Sequence, residues 1–87
     1  MGMTISQIDQ AISSFVNYIE ARHERVIGGA DAVEVHVTDK GVFLNYGCPE
    51  HPHSYSTKVD MMSPNLISEV KVETNYDLMP FAPEDND

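Results

Sequence analysis

Tryptophan is absent from this chain of 87 residues, cysteine occurs once, and lysine and arginine together number only five. Each scarcity excludes something. A single thiol cannot close an internal disulfide, so a hydrophobic core must hold the fold, and a reducing cytoplasmic setting is the expectation. Arg22, Arg25, Lys40, Lys58 and Lys71 are scattered, and fourteen acids bring the formal charge to −9. Contact with nucleic-acid phosphate or an anionic membrane surface calls for clustered cations, so direct binding to either is not expected. No apolar run approaches the length of a membrane span, and no basic-then-apolar leader opens the sequence. Phosphate-cradling glycine loops, paired catalytic carboxylates and the HExxH pattern are missing as well.

What is present points to one small folded domain. Hydrophobic residues make up 41% of the chain, enough for a single core at this size. Residues 1–83 read as that domain and 84–87 as a solvated acidic tail. The acids lean towards the C-terminal end, with a net charge of −3 over residues 1–58 and −6 over 59–87.

The spacing predicts a helix from Thr4 to about Ile27. Thr4 and Gln7 have the separation of a capping box, in which each side chain satisfies a backbone amide that the first turn leaves free. Ile8, Ile12, Phe15, Ile19 and Val26, flanked by Ile5 and Val16, form one apolar stripe. Glu20 and Glu24 fall on the wetter side, and Gly28-Gly29 supplies a stop. Val33, Val35 and Val37 then alternate with polar residues as a strand, and Val42 to Tyr46 return as a second. Taking Lys40-Gly41 as a two-residue loop sets Val37 opposite Leu44, Val35 opposite Tyr46 and His36 opposite Asn45. Alternation from Tyr55 to Met61 gives a third strand. The stretch from Leu66 to Leu78 is ambiguous, because Ser63-Pro64 suits a helix entry, but its two-residue period from about Ser68 to Tyr76 favours a fourth strand. The expected architecture is α+β, with one N-terminal helix packed on a four-stranded, mostly antiparallel β-meander in two layers.

The densest chemistry lies in GCPEHPH, residues 47–53. Cys48, His51 and His53, with His36 or His23 as a distant fourth, offer the donor types that zinc takes, and the Cys48 to His51 spacing resembles one half of a zinc knuckle. Pro52 favours an extended path that would turn His51 and His53 the same way. The plainer reading is a proline-stiffened connection with no metal. A cysteine-dependent enzyme is a further alternative, disfavoured because Cys48 follows Gly47 in a loop with no helix start beside it, and Glu50 would oppose thiolate formation.

With no convergent catalytic set, the leading expectation is a non-enzymatic interaction domain, acting as an inhibitor or adaptor on a protein partner with a basic surface. Its contact residues would be Glu34, His36, Phe43, Glu69, Glu73 and Asp77 on an outward face, with Phe81 in the tail. A narrower version has acids two apart on a strand imitating nucleic-acid phosphates, although Lys71 interrupts the row. An exposed sheet edge could also pair with its copy in a homodimer. The alternative function is a small metal-binding module built on Cys48, His51 and His53.

Overall fold

A computed structural model of the protein describes residues 3–74. The expected end of the fourth strand at Tyr76, the candidates Asp77 and Phe81, the limit of the domain at 83 and the acidic tail lie outside the described residues. Within them stand a helix α1 (Ile5–Arg22), a short 3₁₀ helix (Gly29–Ala32) and four strands: β1 (Glu34–Thr38), β2 (Gly41–Gly47), β3 (His53–Lys58) and β4 (Lys71–Thr74). The strands form one antiparallel sheet in the order β1-β2-β3-β4. Helix and sheet share one core, so the fold is α+β as the periodicities predict.

The helix starts where its cap dictates. The Thr4 hydroxyl accepts from the Gln7 backbone N–H at 3.1 Å, and the Gln7 side-chain Oε1 accepts from the Thr4 N–H at 2.9 Å. Ala11, Phe15 and Ile19, one turn apart, are fully buried against Leu44, Tyr46, Tyr55, Val59, Ile67 and Val70. Ile5, counted with the stripe from sequence, is instead exposed, because it sits in the first turn beyond the reach of the sheet.

At its other end the helix is shorter than the pattern predicts. It stops at Arg22; His23 and Glu24 both donate their N–H to the Ile19 carbonyl, at 2.7 and 3.1 Å, and the chain turns off the axis. The Glu20 carboxylate accepts from the Val26 N–H, and the Tyr46 hydroxyl accepts from the Ile27 N–H at 2.9 Å. Val26 is buried after the turn, as it would have been on a continuing helix, so periodicity alone cannot place the break. The turn carries Glu24 inward.

The β1-β2 hairpin differs in register from the sequence expectation. Val37 faces Val42, His36 faces Phe43 and Val35 faces Leu44, so Asp39-Lys40 is the loop and Gly41 opens β2. Neither loop residue has a positive φ, whereas Gly41 does (136°), and it takes up the twist that such a turn mismatches. A slip of two residues keeps every side chain on its expected face, as a slip of one would not.

Further on, β3 gives way at Lys58 to a single bridge between Val59 and Ile67, and Met61 is exposed. Residues 64–70 form neither a helix nor a strand; Leu66 has φ 68°, which interrupts both. Val35, Val37 and Val72 point to the helix side of the sheet but are 40%, 72% and 42% exposed, since α1 roofs the two central strands and leaves the edges bare.

This packing ranks the cost of truncations. Leu44→Ala should lower the unfolding free energy by about 2–5 kcal/mol, and Thr4→Ala by about 1 kcal/mol through the lost cap. Val37→Ala should stay within about 0.5 kcal/mol. Urea denaturation of the three variants measures the order, and an equal loss for Val37 and Leu44 would contradict it.

Candidate metal centre

The hairpin connecting β2 to β3 brings the GCPEHPH loop against the end of α1. Gly47 pairs with Ser54, and the Cys48 N–H donates to the His53 carbonyl at 3.0 Å, so the loop springs from a closed ladder. Pro52 is buried and fixes its floor. His51 and His53 turn the same way, as the proline between them suggests, with ring centroids 5.8 Å apart and planes inclined by 18°.

Glu24, the residue delivered by the helix turn, is where these side chains meet. Its carboxylate is 15% exposed and uses its two oxygens differently. Oε2 accepts from the Tyr55 hydroxyl at 2.8 Å and lies 3.2 Å from His53 Nδ1. Oε1 lies 3.0 Å from His51 Nδ1, and that same nitrogen lies 3.4 Å from Cys48 Sγ. The donor atoms of Glu24, Cys48 and His51 all lie within 4.8 Å of one another.

Charge follows from these contacts. Burial by itself would raise the Glu24 carboxyl, but the Tyr55 hydroxyl, the His53 hydrogen bond and the two nearby imidazoles more than offset it, so the group titrates below its ordinary range. Burial first, then the hydrogen bond to Glu24 and its charge, push the Tyr55 phenol far above its usual value, and it remains a protonated donor. Burial likewise raises Tyr46, which stacks beside Tyr55 at 6.1 Å. An ionised carboxylate is therefore held ready by a neutral phenol.

Two chemistries compete for a thiol, an imidazole and a carboxylate. In a nucleophilic relay the ring stands between the other two, one nitrogen towards the thiol and the opposite one towards the carboxylate. Here Cys48 and Glu24 both approach Nδ1, so the ring does not stand between them. A metal ion asks for convergence instead. Bond lengths of about 2.3 Å to sulfur and about 2.0–2.1 Å to nitrogen and oxygen give tetrahedral edges of roughly 3.6 Å from S to N and roughly 3.3 Å from N to O. The separations of 3.4 and 3.0 Å come within a few tenths of an ångström of those edges.

Of the residues singled out from sequence, Cys48 and His51 contribute to this cluster directly, and His53 contributes through the second oxygen of Glu24. His36 is elsewhere: it lies on β1 opposite Phe43, with Glu34 at 3.2 Å as its side-chain partner. Glu24, which helical periodicity puts on the wet side of a continuing helix, instead reaches the cluster because the helix ends early at Arg22. Glu34, His36, Phe43 and Glu73 do share the sheet's outward face by register, together with Lys58 and Lys71, and Glu69 borders it beside Phe43.

Comparison with known proteins gives no match: no family model fits the chain, and no curated protein or solved structure resembles it. Among the described residues no helix is long and apolar enough to cross a membrane.

The lowered carboxyl has a signed consequence in metal-free protein. A group whose folded pKa is depressed stabilises fully above its unfolded value, about 4.3 for glutamate, and loses that contribution as pH falls through the folded value. The stability gap between wild type and Glu24→Gln should therefore be widest near neutrality and narrow below about pH 4. Urea midpoints across the acid range measure it, and a gap that does not change with pH contradicts the assignment.

Proposed function

We propose that the protein is a small metal-binding module taking one divalent transition-metal ion of the zinc class through Glu24 Oε1, Cys48 Sγ and His51 Nδ1. The observation that carries this reading is the gathering of three different donor types within 4.8 Å of one another, with thiol and carboxylate addressing the same ring nitrogen. The contacts to Oε2 support it, because ligating carboxylates are characteristically oriented by hydrogen bonds from outside the coordination shell. The ion would tie the end of α1 to the β2-β3 loop, so its binding free energy would add to folding stability. Sulfur and imidazole donors favour zinc over calcium or magnesium, which take oxygen shells.

Equilibrium dialysis of zinc with protein lacking a histidine tag tests the proposal. One ion per chain is expected. Tyr55→Phe, which releases the carboxylate from its outer support, should weaken binding roughly 10- to 100-fold, and Glu24→Ala, Cys48→Ser and His51→Ala should each cost more. His36→Ala should change nothing. Absence of stoichiometric zinc, or an equal loss in the His36 variant, sinks the reading.

A second reading, an interaction domain working as inhibitor or adaptor, is favoured by a separate observation. Val35 and Val37 are exposed on the edge strand β1, and Phe43 lines a shallow recess of about 290 Å³ on the outward face with Lys58, Glu69 and Lys71. An edge strand can add a strand from a protein partner or from a second copy. The two lysines break any continuous row of acids, which counts against phosphate imitation. A basic partner steered by the overall charge would bind less tightly as salt rises, and Val37→Lys should weaken edge pairing. Capture of a partner whose affinity ignores both changes removes this version.

A further inference from the structure

The metal reading accounts for three donors, and tetrahedral zinc takes four. We infer that the fourth position is open to a small external monoanion, entering through the cleft beside Arg25; this rests on the metal reading above. Other side chains able to close the shell are engaged elsewhere or stand apart from the donors. His53 already faces the second oxygen of Glu24, and its backbone carbonyl is fixed by the Cys48 N–H. The His23 ring lies between Tyr18 and Tyr55, at centroid distances of 6.1 and 5.3 Å. His36 sits on β1 with Glu34. Glu50 borders the cleft but stands outside the group of converging donors.

What remains next to the three donors is space. A cleft of about 250 Å³ is lined by Glu24, Cys48 and His51 together with Arg25, Ile27 and Glu50. Glu24 forms its deep side, while the His51 side chain is 53% exposed. An ion held between them would border this cleft, because all three donors line it. Three protein donors and an exchangeable fourth position characterise zinc sites that act on a ligand, whereas purely structural sites are closed by four.

Charge selects the class of ligand. A divalent ion bound by a thiolate, a carboxylate and a neutral imidazole has no net charge, so the ion does not demand an anion by itself. Arg25 on the wall adds one positive charge, and Glu50 on the same wall adds a negative one. A compact anion of single charge can coordinate the ion while pairing with Arg25, whereas the second charge of a dianion would be left without a cation in a cleft that also holds Glu50. The cleft is also too small for a polymer, so the ligand is a small molecule such as a monocarboxylate, a thiolate or an inorganic monoanion.

Cobalt(II) substitution with azide as the probe separates this inference from the reading beneath it. Cobalt occupies zinc sites and reports its thiolate ligand and coordination geometry in the visible and near-ultraviolet spectrum. One equivalent of cobalt should give a thiolate charge-transfer band that Cys48→Ser abolishes. Azide should then shift the visible bands saturably, and Arg25→Ala should weaken azide about three- to five-fold, the scale of one exposed ion pair, without changing cobalt affinity. If the cobalt bands form but ignore azide, the position is closed and the inference fails while the metal reading stands. An azide response that appears only in His53→Ala identifies His53 as the fourth ligand and equally overturns it. If no thiolate band forms at all, the metal reading falls and takes this inference with it.

Discussion

A carboxylate withdrawn from water must be met by hydrogen-bond donors or by a cation, and much of the arrangement around the Glu24 carboxylate follows from that demand. The helix turns off its axis at Arg22, which takes Glu24 inward instead of leaving it on the outer face. Tyr55 on β3 and His53 at the start of that strand supply one oxygen, and the β2-β3 loop brings His51 to the other. The end of α1 is thereby joined to a loop and strand more than twenty residues further along the chain. The neighbouring phenols are raised by burial, and Tyr55 further by Glu24, which leaves the carboxylate as the acidic partner and Tyr55 as the donor.

The same demand explains why the cluster reads better as a cation site than as a self-contained polar network. One ring nitrogen cannot serve a thiol and a carboxylate equally well: it either donates to the oxygen and leaves the sulfur unmet, or accepts from the sulfur and faces the oxygen lone pair to lone pair. An ion among the three donors resolves the conflict, because all of them present lone pairs to it. The buried phenols beside the cluster, Tyr46 and Tyr55, would then act as a low-dielectric wall that strengthens the attraction between ion and ligands. Structural and ligand-binding roles would be compatible here, since an ion bound at the cluster would tie the helix end to the loop and still border the cleft.

Much of the architecture was legible from local chemistry. Thr4 and Gln7 announced the capping box, valine alternation announced β1, and proline spacing announced that His51 and His53 turn together. The errors arose where a pattern is degenerate. Val26 falls in phase with the helical stripe whether or not the helix continues, so its burial could not reveal the break at Arg22. The hairpin register slipped by two residues because valine, leucine and tyrosine alternate alike along β2, and only Gly41's positive φ decides which pair turns. The candidate site was half visible. Cys48 and His51 form a recognisable local pair, whereas Glu24 precedes them by more than twenty residues with no spacing rule to connect them. Glutamate near a helix end ordinarily means solvent, and only the tertiary path of residues 23–27 shows otherwise.

What occupies the space between Glu24, Cys48 and His51 decides between a metal centre and a plain polar cluster. X-ray absorption at the zinc edge of protein loaded with one equivalent of zinc measures it directly. The expected shell has a single sulfur at about 2.3 Å and two or three nitrogen or oxygen neighbours at about 2.0–2.1 Å. A shell without sulfur, or zinc surrounded only by exchangeable water, would contradict the assignment.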